Sequence, residues 1–71
     1  MKNFRQIIDY WDTYAELALD IGATAAAVKQ MRRRNSIPSR YWLALVACSK
    51  QRGLNLSFGN LAELAAERGS Q

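Results

Sequence analysis

The stretch Thr13–Arg33, TYAELALDIGATAAAVKQMRR, decides the fold. It reads as two short helices joined by a tight turn. Thr13 and Glu16 have the spacing of a capping box, in which the hydroxyl accepts from an orphan backbone N–H and the carboxylate reaches back. The first helix then spans Tyr14–Ile21, with Leu17, Ala18 and Ile21 on its inward face. Gly22 suits the stop, because the residue just past a helix often needs a positive φ that glycine adopts without Cβ strain. Thr24 is placed to cap a second helix, Ala25–Arg34, whose inward residues are Val28 and Met31.

The spacing Ala18, Gly22, Val28, Met31 has a physical reading as a helix-turn-helix. Two helices that cross closely want a small residue at the contact, and Ala18 supplies one. Gly22 lets the chain turn sharply. Val28 and Met31 pack the second helix onto the first. The other side of that helix then presents Ala25, Ala26, Lys29, Gln30 and Arg33 at helical spacing, the arrangement needed to lie in a DNA groove.

Outward from this unit, Phe4, Ile7, Ile8 and Trp11 recur at three- and four-residue steps, which predicts a helix over Asn3–Trp11. Asn35-Ser36-Ile37-Pro38 is a break, since the residue before proline is driven from the helical region and proline suits a first helical turn. A fourth helix is expected over 38–52, stopped by Gly53. Its run Tyr41–Cys48 is apolar all round, so most of its sides must be covered. A fifth helix is expected over 57–68, with Ser57 as its cap and Gly69 as its end. Ser70 and Gln71 should fray. The expectation is an all-α, five-helix bundle forming one domain over 1–69.

Size and charge narrow the function. Seventy-one residues make one domain of limited core. One cysteine, Cys48, excludes an internal disulfide, and without histidine no zinc cluster is expected. Cys48 reads as a small buried hydrophobe. The N-terminal residues lack the apolar core of a signal peptide, and eight apolar residues in a row cannot span a bilayer, so a cytoplasmic location is expected. Seven bases, Lys29, Arg32, Arg33, Arg34, Arg40, Lys50 and Arg52, fall in a stretch with no acid, while residues 1–28 carry two bases against four acids. One basic face beside acidic ones orients a protein on a polyanion. Catalysis is not expected: there is no histidine, no paired-carboxylate site and no nucleophile with a base nearby. Nor is any cofactor or metal.

Residues 13–33 resemble the helix-turn-helix of the lambda-repressor and Cro family of phage and bacterial regulators. The arginine-rich exit, the Ser36-Ile37-Pro38 start of a fourth helix and the overall length extend the resemblance over most of the chain. It implies an all-α fold, often dimeric, with Ala25–Arg34 as recognition helix on double-stranded DNA. The chain departs from the family at Tyr14, where relatives commonly place a phosphate-binding Gln, and at Ala25-Ala26-Ala27, where they present polar residues to bases.

Base contacts are accordingly expected from Ala25, Ala26, Lys29, Gln30 and Arg33. Gln30 leads, because its amide can pair bidentately with adenine N6 and N7, whereas alanine can only meet a thymine methyl. Phosphate contacts are expected from Thr13, Tyr14, Thr24, Arg34, Asn35, Ser36 and Arg40. A homodimer is expected, with Phe58, Leu61 and Leu64 at its interface; the alternative is that the fourth and fifth helices complete a monomeric core. The leading expectation is a Cro-like repressor on a palindromic operator. The alternatives are a helical protein-interaction module and an antitoxin-type autorepressor on the same scaffold. RNA is disfavoured, since no exposed aromatic platform is evident.

Overall fold

Helix ends are set locally, and side-chain caps account for where four of the five α-helices begin. In the computed structural model, which describes residues 3–69, α1 (Phe4–Ile8) starts after Asn3, whose side chain accepts from the Gln6 N–H at 2.9 Å. The second helix, α2 (Tyr14–Ile21), starts after Thr13, whose hydroxyl accepts from Glu16 N–H at 3.1 Å. The third, α3 (Ala25–Arg34), starts after Thr24, which accepts from Ala27 N–H at 3.1 Å. A 3-10 turn (Ser39–Tyr41) leads into α4 (Trp42–Gln51), and α5 (Phe58–Gly69) follows. Ser57 and Asn60 cap α5 reciprocally: Asn60 N–H donates to Ser57 Oγ, and Ser57 N–H donates to Asn60 Oδ1. Asn60 thus fills the place usually held by Glu or Gln in a capping box.

Three helices end in left-handed residues: Gly22 (φ 73°), Asn35 (φ 52°) and Gly53 (φ 79°). In each case the next N–H reaches back five residues, from Ala23 to Ala18, Ser36 to Met31 and Leu54 to Ser49. This pattern satisfies helix-terminal carbonyls that would otherwise be orphaned. Helices α2 and α3 match the sequence expectation residue for residue.

Two expected boundaries are corrected. The first helix does not continue to Trp11; after Ile8 the chain tightens, with Tyr10 N–H bonded to Ile7 and Trp11 N–H to Ile8 carbonyls. Leaving the helical path lets Tyr10 Oη donate to the Arg52 carbonyl at 2.7 Å and Trp11 Nε1 donate to Asp20 at 2.8 Å. The fourth helix does not begin at Pro38, which is extended (φ −57°, ψ 143°). The Trp42 indole N–H donates to the Ile37 carbonyl at 2.8 Å, folding the 3-10 turn back against that segment.

The architecture is all-α, with no strand among the described residues, and compact at a radius of gyration of 11.1 Å. The core gathers Phe4, Ile7 and Ile8 from α1, Trp11, Leu17 and Ile21, Val28 and Met31, Leu45, and Leu61. Each such burial contributes about 1.5–3 kcal/mol relative to exposure. The largest packing surfaces of α3 are against α2 and then α1. Cys48 is buried, and its thiol donates to the Leu45 carbonyl; burial, and then the charge of Asp20, push its pKa up. Helix α4 is less covered than its apolar run implies, because Leu43 stays 72% exposed and Ala47 is exposed too. Ser70 and Gln71 lie outside the described residues. Among those described, no helix is long and apolar enough to cross a membrane.

Candidate nucleic-acid interface

Burial of Val28 and Met31 decides which side of α3 faces out. With those two side chains in the core, Ala25, Ala26, Lys29, Gln30 and Arg33 are all exposed, as the spacing predicts. The ten-residue helix is about 15 Å long. It has no acid in its first turn and three arginines in its last. Positive charge at a helix C-terminus suits the dipole. Thr24, exposed at the other end, is engaged in capping.

Beside this face runs a groove lined by Gln30, Arg34, Ser36, Arg40 and Tyr41 over a floor that includes Ala27, Met31 and Pro38. It brings one expected base reader next to three expected phosphate contacts. The Arg40 guanidinium lies 4.8 Å from the centre of the Tyr41 ring, a cation–π contact that holds its stem while leaving the residue exposed.

Thr13 and Tyr14 sit elsewhere, in a cleft shared with Asp9, Trp11, Asp12 and Arg32. Charge there is mixed rather than basic, and the Thr13 hydroxyl already accepts from Glu16 N–H. Asn35 is also differently employed. It is the left-handed residue that ends α3, half-buried, and its Oδ1 accepts from the Arg5 N–H at 3.2 Å. In the fold it ends α3 and ties it to α1.

The basic stretch is partly neutralised by acids from other helices. Arg32 makes a bidentate pair with Asp9, at 2.7 and 3.0 Å. The hydrogen bond from Arg32 holds the Asp9 carboxyl below its ordinary pKa, and Asp9 raises that of Arg32 in return. Arg52 donates to Asp20 Oδ2 at 2.8 Å, the same oxygen that receives the Trp11 indole, and its guanidinium lies 5.4 Å from the Trp11 ring centre. Hydrogen bonds from Trp11 and then Arg52 depress the Asp20 pKa. Lys29, Arg33, Arg34, Arg40, Lys50 and Arg52 are all exposed.

The expected dimer surface is corrected at its centre. Leu61 is fully buried in the chain's own core, so it has no surface to offer a partner. Leu64 is half-buried against that core, and Phe58 is 48% exposed. Of the three, Leu61 and Leu64 turn toward the core while Phe58 stays exposed.

Sequence reasoning missed Arg5 and Asp9. Arg5 Nε donates to the Arg32 carbonyl at 2.9 Å and another guanidinium nitrogen donates to the Arg33 carbonyl at 3.2 Å. Their spacing of four on α1 was a signal that they share a face, but nothing local named their partners. Among the described residues no cluster of three or more His, Cys, Asp or Glu could hold a metal ion. Comparison with protein-family models, with curated proteins and with solved structures gives no match to this chain.

Proposed function

We propose that this chain is a sequence-specific double-stranded DNA-binding regulator. In this reading α2, the turn at Gly22–Thr24 and α3 act as a helix-turn-helix, and α3 enters the major groove. The observation that carries it is the outer face of α3: Lys29, Gln30 and Arg33 exposed side by side, on a helix anchored by buried Val28 and Met31 and bearing no acid.

Gln30 reads adenine, and Lys29 and Arg33 are suited to guanine O6 and N7 or to phosphate. Ala25 and Ala26 let the helix approach closely. Arg34, Ser36 and Arg40 hold the backbone, which positions without specifying. Two half-sites one DNA turn apart need two copies, so the protein acts as a dimer on a palindrome, like a Cro-type repressor. With Leu61 occupied in the core, the dimer surface draws on other residues.

Selection of random duplex DNA by the purified protein, repeated at two salt concentrations, tests this. An enriched palindrome and steep salt dependence are expected. In the selected site, Gln30→Ala should cost about 1–3 kcal/mol and relax preference at one position, whereas Arg34→Ala should weaken all sequences alike. Equal loss of specific and non-specific binding on Gln30→Ala would remove its reading role. No binding at low salt would overturn the proposal. A helical protein-interaction module would then become the better reading, favoured by the exposure of Leu19 (84%) and Leu43 (72%).

A further inference from the structure

Helix α1 reaches α3 at two points, and both lie at the basic exit of that helix. Arg5 and Asp9 are four residues apart on one side of α1. Each takes a partner on α3. Arg5 caps the C-terminal turn of α3 through the carbonyls of Arg32 and Arg33. Asn35 closes the loop by accepting the Arg5 N–H. Asp9 grips the Arg32 side chain with both carboxylate oxygens. Three consecutive arginines leave α3, and one of them is thereby turned away toward α1.

We infer that Asp9 is a specificity-determining residue, acting by holding Arg32 off the nucleic-acid backbone while fixing the orientation of α3. This rests on the DNA-binding reading above. Non-specific affinity grows with the number of phosphates neutralised, whatever the sequence. Arg32, once released at the exit of α3, would add such a contact to every site and none to a base. Specific affinity depends on α3 being presented at one angle, which the Arg5 cap and the Asp9–Arg32 pair set from both sides of the same turn. Holding Arg32 therefore lowers the non-specific background and preserves the specific geometry together.

The test compares the full chain with Asp9→Asn on a selected duplex and on a scrambled duplex, across a salt series. Both side chains of the pair are 40–49% exposed, so losing it should cost little stability, which circular dichroism checks for each variant. Asp9→Asn should bind the scrambled duplex several-fold more tightly. Its log–log salt slope should steepen by about 0.9 for each arginine released, and the ratio of specific to non-specific affinity should fall. A residue with only a structural role would instead weaken both duplexes.

Asp12→Asn, which removes an equal charge from the same cleft without freeing Arg32, separates release of the arginine from simple loss of an acid. In it the gain on the scrambled duplex should be absent. An equal gain would overturn the inference, as would an Asp9→Asn protein whose ratio and slope match the parent. If the parent chain binds neither duplex, the DNA reading itself fails and the inference goes with it.

Discussion

Gly22 offers a test in which two physical causes predict opposite rank orders. It ends α2 at φ 73° and starts the turn into α3. A Cβ built there meets nothing within 4 Å, so space is not what the position demands. The cost of Gly22→Ala is then the backbone's alone. The left-handed conformation costs an L-residue about 1–2 kcal/mol. Restricting the unfolded chain returns about 0.4–1 kcal/mol. The net loss should lie between about 0 and 1.6 kcal/mol, at most roughly 13 °C in Tm for a domain of this size. Asparagine tolerates this conformation, and Asn35 already adopts it at the end of α3. Gly22→Asn should therefore be more stable than Gly22→Ala, although its side chain is larger. Thermal and urea denaturation followed by circular dichroism measures both. The helical content well below Tm should be unaffected, because the turn keeps its course. An asparagine variant less stable than the alanine variant would refute the argument and mean that crowding, not φ, selects glycine. So would an alanine variant that loses more than about 3 kcal/mol.

Two further outcomes follow from the core and from the ion pairs. Leu61→Ala removes a fully buried side chain and should cost about 2–5 kcal/mol, read as a lower urea midpoint that does not vary with protein concentration; a change in self-association with unaltered stability would return Leu61 to an interface. Asp20 has a lower pKa folded than unfolded, held down first by the Trp11 indole and then by Arg52. Its stabilisation is complete above the unfolded value, near about pH 4, and is lost as pH falls through the lower folded value. Tm should therefore drop below about pH 4, and Asp20→Asn should lower Tm at neutral pH and flatten that acid limb; an identical pH profile in the variant would sink the assignment.

What the sequence determined by itself was local. The starts of α2, α3 and α5 follow from Thr13, Thr24 and Ser57, because a capping side chain bonds a backbone N–H three residues away. The outward face of α3 was legible for the same reason: helical period alone separates Val28 and Met31 from Lys29, Gln30 and Arg33. The tertiary structure decided everything that depends on which faces meet. It shortened α1 so that Trp11 could reach Asp20, nine residues on, and so that Tyr10 could reach the end of α4. It turned Leu61 inward rather than outward, a choice that the amphipathic pattern of α5 leaves open until a neighbour is in place. It neutralised Arg32 and Arg52 by pairing them with acids 23 and 32 residues away. Such pairs join charges whose proximity is created only by packing α1, α2 and α4 around one core. Sequence spacing reports neighbours along a helix, and it carries no such information about charges that only the assembled core brings together.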